Sequence, residues 1–445
     1  MMTRRTTDSR NCFEIVSIED LVPKDHLVRK VDKALDFDFI YPLVESMYSS
    51  QGRPSIDPVI LFKMVFIQYL FGIRSMRQTI KEIETNMAYR WFLGLEISEK
   101  VPHFSTFGKN YVRRFKDTDV FYQIFFTILN EAYAKGFIDD EVIFIDSTHI
   151  KANANKHTGK RIEVEQEAKV YQKKLEKEIN EVRVAAGKKP FDFPEKQERI
   201  LKNISTTDSE SGYFVKGEKE RQFAYSAHIA CDEHGFILGV QVTPGNVHDS
   251  QILPPLIEKL KKLPFYHPYG IAADAGYKTP TIAKYLDEEG LRPILPYTRP
   301  KGKKGKLRKT DFVYDEYYDQ YLCPTDKTLY AGTLNREGYR NYLSDKKKCA
   351  ICPMLEKCTE SQGHQKIIQR HLWQSYLDKA EELRYTTYNK IQYAKRKETV
   401  ERVFADAKEK HGLRWTKLRG VIKNQHYVML VFAMLNLKKL ATWMW

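Results

Sequence analysis

The sequence predicts an α/β chain in two parts, an all-helical first third followed by a mixed sheet flanked by helices, and three observations carry the prediction. From Leu21 to about Phe137 apolar residues recur at helical spacing. At Glu141 the pattern changes to compact β-branched and aromatic runs, beginning with VIFID. From there the segments read strand, strand, strand, helix, strand, helix, strand, with a later helix, the order of a mixed sheet covered by helices. A chain of 445 residues also exceeds what one hydrophobic core fills, so more than one unit is expected.

The helical part, residues 1–137, is punctuated at Gly52-Arg53-Pro54, Asp57-Pro58 and Gly94. Asp57 stands as an N-cap before a helix-opening proline, and VILFKMVFIQYLFG then supplies a buried helix. Basic residues gather around it, Arg74, Arg77, Lys81, Arg90, Lys109, Arg113 and Arg114, although each taken singly fits a solvated helix face equally well. In residues 138–445 the first strand ends at Asp146, and Ala224–Cys231 and Phe236–Thr243 follow as strands joined by the turn Asp232–Gly235. A helix over Asp249–Lys262, a strand within Gly270–Gly276, a helix over Thr279–Glu289 and a strand at Leu291–Leu295 complete a ribonuclease-H-like order. Two stretches interrupt it. Residues 156–206 include Lys160–Lys202, with twelve Lys or Arg and nine Asp or Glu at helical spacing, and read as a charged helical insertion. Residues 296–369 form a basic, cysteine-containing insertion.

Lys and Arg number 73 against 58 Asp and Glu, a formal charge of +15, which favours a polyanionic partner such as double-stranded DNA. Arg4 and Arg5 are not followed by an apolar stretch with a small-residue cleavage site, so no secretory signal is read. The runs Val59–Gly72 and Val428–Leu437 are too short to span a bilayer, and no membrane partner is expected. Six cysteines are too few for a disulfide scaffold in so long a chain, so a reducing cytoplasm is the default expectation, with association to the nucleoid expected for a DNA partner.

Asp146 and Asp274 both end strands that this order can set side by side, where each carboxylate reaches into a cleft. Like charges that close need a cation, and oxygen-only ligands suit Mg2+ or Mn2+. Either aspartate alone also fits an ordinary turn. A third carboxylate is sought on a closing helix over Lys395–Gly420, where Val400, Val403, Phe404 and Ala407 form the buried stripe. Glu401 and Lys408, two turns apart, project beside that stripe, with Glu398 as the rival acid.

FIDSTHIKA around Asp146, VTPGNVHDS at Val242–Ser250, ADAGY around Asp274 and VERVFADAKEKHGLR around Glu401 together resemble the bacterial insertion-sequence transposases with a DDE triad, in particular the insertion-sequence eleven-eighty-two family. The resemblance implies a transposase that binds element ends and target DNA. Asp146, Asp274 and Glu401 would hold two divalent ions for in-line displacement at phosphorus, with Lys408 as a further catalytic group. Pairing two ends implies a homodimer or larger assembly. Family members carry a Tyr and an Arg ahead of the Glu; here the Arg position falls on Lys397 and Tyr393 stands one residue off. His149, His248 and Asp249 lie where they could contact phosphate, position water or simply serve the fold. A catalytically silent, transposase-derived DNA-binding protein and a ribonuclease-H-like nuclease are the rival readings.

Cys323, Cys349, Cys352 and Cys358 fall within one 36-residue stretch, close to a zinc-ribbon arrangement, and are expected to hold one structural Zn2+. Arg299–Lys309, which includes Lys301, Lys303, Lys304 and Lys306, has seven basic residues and no acid, and reads as a flexible segment that tracks phosphates or merely as a linker. Arg414, Trp415, Lys417 and Arg419 place an aromatic ring among cations, where a base could stack, unless the ring packs on the core.

Overall fold

A computed structural model describes residues 15–49, 51, 52, 54–165, 171–193, 199–216, 220–300 and 302–445. The helical part contains α1 (Leu27–Ala34), α2 (Ile40–Val44), α3 (Pro58–Leu70), α4 (Met76–Thr85), α5 (Met87–Leu93), α6 (Ser105–Asn110) and α7 (Val120–Ala134). Helix α3 begins as its sequence dictates: the Asp57 carboxylate accepts from the backbone N–H of Val59 at 2.7 Å and of Ile60 at 3.3 Å, while Pro58 has no N–H to satisfy. Its residues Leu61, Phe62, Met64, Val65, Phe66, Ile67 and Leu70 are all buried, as an apolar helix requires.

The main sheet follows, with its first insertion: β1 (Val142–Lys151), β2 (Gly159–Glu165), α8 (Gln172–Ala185), β3 (Arg199–Ser205), β4 (Gly212–Lys216), β5 (Glu220–Cys231), β6 (Ile237–Pro244), α9 (Leu253–Leu260), β7 (Gly270–Ala273), α10 (Pro280–Glu288) and β8 (Arg292–Ile294). Strand β1 is central, antiparallel to β5 and parallel to β7, which is parallel to β8. The other edge of β5 is shared, β4 pairing with its first residues and β6 with the rest. The expected mixed sheet is therefore present, and the five anticipated strands all lie in it. The first insertion departs from the helical expectation, because β2 and β3 pair antiparallel on either side of α8. Alternation of Ile162 and Val164 with charged neighbours is a strand period that the high charge concealed.

The second insertion forms its own five-stranded antiparallel sheet from β9 (Val313–Asp315), β10 (Gln320–Leu322), β11 (Thr328–Leu334), β12 (Tyr339–Ser344) and, after the short α11 (Lys346–Ala350) and α12 (Leu355–Cys358), β13 (Ile367–His371). Phe312, Tyr321, Leu329, Tyr342 and Ile368 are the buried residues of its small core. The chain closes with α13 (Gln374–Leu383), α14 (Thr387–Lys395), α15 (Val400–Lys410) and α16 (Val421–Trp443). The closing helix is thus shorter than Lys395–Gly420. It starts only after Thr399 (φ −103°, ψ −101°) and stops before Gly412, whose φ of +74° takes the chain out of the helical region.

Helix α16 packs against α1, α3 and α7 as well as β6, so one hydrophobic cluster extends from Val22 in the helical part to Ala441. Its fully buried Asn436 accepts from the Ile237 N–H at 2.9 Å and donates to the Ile237 carbonyl at 2.8 Å, fastening the helix to β6. Among the described residues no helix is long and apolar enough to cross a membrane.

Candidate active site

Parallel pairing puts Ile145 of β1 beside Ala273 of β7, so Asp146 and Asp274, each one residue further on, lie together where β7 ends; β1 does not end at Asp146 as expected but continues to Lys151, held by its pairing with β5. Asp274 caps a single turn of 3-10 helix, its Oδ1 accepting from the Gly276 N–H at 2.9 Å. The Asp146 carboxylate accepts from the Ser147 N–H at 2.8 Å. Burial pushes the Asp146 carboxyl up to about 6, against the opposing pull of a cation, Arg396. Arg396 lies between α14 and α15; it is 4% exposed and donates through Nη2 to Asp146 Oδ2 at 2.7 Å. Its other terminal nitrogen reaches the Tyr393 hydroxyl at 3.2 Å.

Sequence reasoning passed over Arg396. The arginine expected from the resemblance was sought at Lys397, which is exposed, whereas the residue that meets the carboxylate is one position earlier. The signal was the spacing Tyr393-x2-Arg396, and the interval to Glu401 is longer by the residue absorbed at the Thr399 break.

Asp249 brings a further carboxylate near the first two. This residue follows β6 at the same sheet edge, opening a short 3-10 turn. A Cβ placed on Gly276 would lie 3.0 Å from Asp249 Oδ2 and 3.1 Å from Asp274 Oδ1, so the two carboxylates face each other across a residue with no side chain. Burial raises the Asp249 carboxyl, a Ser147 hydroxyl bond lowers it, and Asp274 raises it further. Glu401 is exposed in the first turn of α15. Val400, Val403, Phe404 and Ala407 are buried as expected. Lys408 is half-buried further along α15, and Glu398 lines a separate pocket between α15 and α16 with Arg402 and Lys439.

The donor set at the sheet edge is oxygen only, which suits a hard divalent cation. Tyr277, between Asp274 and α10, is fully buried with a hydroxyl that has no hydrogen-bond partner, and the charges of Asp249, Asp146 and Asp274 all act on it. Among the described residues no three His, Cys, Asp or Glu side chains already converge as ligands, and the cation on Asp146 is the Arg396 guanidinium.

The other expected contacts are dispersed. Trp415 is 49% exposed and bridges its backbone to Lys151, the last residue of β1. It lines an open groove of about 610 Å³ with Asn153, Asn155, Thr207 and Lys417, whose ammonium sits 5.5 Å from the indole. Arg419 is exposed, while Arg414 is paired with Glu409. Lys301 lies outside the described residues. The rest of that basic segment is docked rather than free: the Leu307 N–H donates to the Lys357 carbonyl, and Lys303 and Lys306 both meet Glu360. Lys304 is exposed. In the helical part Arg74, Arg77, Lys81, Lys109 and Arg113 are exposed. Arg90 is instead 3% exposed and bound to the Glu99 carbonyl, and Arg114 donates to the Met47 carbonyl, so both serve the fold.

The four insertion cysteines are all free thiols. Cys323 Sγ accepts from the Lys327 N–H at 3.3 Å; Thr325 Oγ1 is 3.2 Å from it and 3.9 Å from Cys352 Sγ. Burial, and the proximity of Cys349, Cys323 and Cys352, push the Cys358 thiol up.

Residues 16–113 match a family described as Transposase domain (DUF772), and residues 322–441 match one described as Transposase DDE domain. The chain is also 26% identical over 114 residues to the transposase for insertion sequence element IS1106 of Neisseria meningitidis serogroup B. That likeness covers 24% of this chain and 38% of the relative's length. No solved structure matches.

Proposed function

We propose that this chain is an insertion-sequence transposase that binds the ends of its element and catalyses metal-dependent DNA cleavage and strand transfer. The observation that carries the reading is the emergence of Asp146 and Asp274 side by side from β1 and β7, in a chain whose two ends resemble transposase domains. The order β6-β5-β1-β7-β8 supports a ribonuclease-H-like core for residues 138–445, and the exposed cations of α4 and α6 support DNA binding by residues 1–137. Placement in the insertion-sequence eleven-eighty-two family rests on the four motifs around Asp146, His248, Asp274 and Glu401.

In this reading Asp146, Asp274 and Glu401 hold two Mg2+ or Mn2+ ions, which supply an activated oxygen nucleophile and stabilise the leaving oxygen. Arg396 must cede Asp146 for the carboxylates to act together on a metal. Lys408 would be a further catalytic group, and the exposed Trp415, Lys417 and Arg419 would meet bases and phosphates. Holding two DNA ends calls for a homodimer or larger assembly. A structural Zn2+ on Cys323, Cys349, Cys352 and Cys358 belongs to the same proposal, supported by four free thiols in one insertion, Cys323 just after β10 and the other three on the α11–α12 segment.

The test is incubation of the purified chain and Mg2+ with labelled DNA bearing the element's flanking ends. Joined products are expected from the wild type. Asp146→Asn, Asp274→Asn and Glu401→Gln should each abolish them and leave DNA binding intact, and Glu398→Gln should be mild. Cutting without joining would make the chain a nuclease, and binding without cutting a silent DNA-binding protein.

A further inference from the structure

Asp249 is oriented from behind as well as from beside. His228 of β5 is fully buried, and its Nε2 lies 2.9 Å from the Thr243 hydroxyl on β6. Its other ring nitrogen, Nδ1, has no hydrogen-bond partner and points at Asp249 Oδ1 from 3.5 Å. A buried ring nitrogen left that way is costly unless the neighbouring carboxylate closes on it. Ser147, the cross-strand partner of His228 on the strand that carries Asp146, lies on the same side, and its hydroxyl counters the rise that burial gives the Asp249 carboxyl. On the open side Asp249 looks across Gly276 at Asp274, and the unpartnered, fully buried Tyr277 hydroxyl lies in the field of all three aspartates. A pure turn residue has no reason to sit against an unpartnered buried histidine nitrogen while facing a second acid. Any side chain at residue 276 would fill the space between those acids, and the sequence leaves that space clear.

We propose that Asp249 is a further carboxylate of the divalent-metal cleft formed by Asp146 and Asp274, and that the buried Thr243–His228 pair is the positioning device that aims it. The proposal rests on the transposase reading for the presence of that cleft. A residue after the third core strand then supplies an oxygen donor beside those of Asp146 and Asp274, once Arg396 cedes Asp146. His228 touches no reacting atom and acts only through Asp249.

The experiment is Mn2+ binding by the full-length chain, with free Mn2+ read by electron paramagnetic resonance and thermal unfolding recorded alongside. Asp249→Asn and Asp249→Ser should each weaken Mn2+ by about 10- to 100-fold, comparable to Asp274→Asn, with unfolding temperature and salt-dependent DNA affinity unchanged. His228→Gln, which keeps a hydrogen-bonding group toward Thr243, should weaken Mn2+ by about tenfold and lose that effect in the Asp249→Asn background. Wild-type Mn2+ affinity in both Asp249 variants, with Asp274→Asn impaired, would overturn the proposal and leave the transposase reading intact. A wild-type chain that binds no Mn2+ and joins no DNA would remove that reading as well.

Discussion

Arg396 and Asp146 form an ion pair whose side chains are 5% and 17% exposed, and such a pair matters less for its net stability than for what its rupture leaves behind. Removing the guanidinium strands a carboxylate that burial already disfavours in its charged form. Arg396→Ala is expected to cost about 3 kcal/mol in denaturant unfolding at pH 8. The sign of its pH dependence follows from Asp146, whose folded value of about 6 lies above the usual 3.8. The folded state therefore holds a proton that the unfolded state has released, and stability falls as pH rises through that window. Without Arg396 the carboxyl is pushed higher still, so the deficit should be largest at pH 8 and shrink by pH 5. An equal deficit at both pH values would mean that the arginine supports the fold by packing alone. The same pair explains why Asp146 was legible in the sequence and Arg396 was not. An aspartate closing a β-branched run is a local pattern, although β1 itself continues to Lys151, whereas Arg396 owes its role to a break at Thr399 that only the folded chain reveals. Asp249 was noticed within VTPGNVHDS without being counted among the acids, because the glycine that lets it face Asp274 is 27 residues away, at 276 against 249.

At the scale of elements, the core strands were readable because their apolar runs are compact and bounded by turn residues, as at Asp232–Gly235, where Gly235 adopts φ +76°. Elements rich in charge were not: β2 and β3 carry too little apolar contrast for their period to stand out, and β4 gains its pairing only because β5 extends beyond β6. The second insertion shows a different economy. Its five buried core residues, all aromatic or bulky aliphatic and four of them from separate strands, are few for a five-stranded sheet. A tetrahedral thiolate centre would tie the β10–β11 turn, through Cys323, to the α11–α12 segment that carries the other three cysteines. One zinc per chain is expected by elemental analysis of reduced protein, and chelation should loosen this insertion to proteolysis while the main sheet stays protected. Absence of stoichiometric zinc, or protection unchanged by chelator, would leave the thiols as packing residues.

Across the whole molecule, α16 makes the helical part and the sheet share one cluster, so the two parts meet through a common helix rather than through a linker. Deleting residues 1–137 would bare the faces of α16 that α1, α3 and α7 cover, and an aggregated product is expected on expression. End recognition is therefore better probed by Arg74→Ala, Arg77→Ala and Lys81→Ala, which alter exposed cations and leave the core whole. These should reduce preference for the element's ends, whereas an unchanged preference would put sequence reading elsewhere. The net charge of +15 makes steep salt dependence the common background for all such measurements, with a log-log slope of about −0.9 for each phosphate neutralised. Taken as bare cations, Lys303, Lys304 and Lys306 would together account for about three such contacts. Their setting argues for fewer, since Lys303 and Lys306 share Glu360 and bring its negative charge to any phosphate they approach, while Lys304 is exposed. Replacing all three with Ala should flatten the slope by about one unit, and Lys304→Ala alone should reproduce most of that change. Affinity should fall alike for element ends and unrelated DNA, because phosphates carry no base identity. A change near three units would show that Glu360 gives way to DNA and that the docked segment lifts from the insertion on binding.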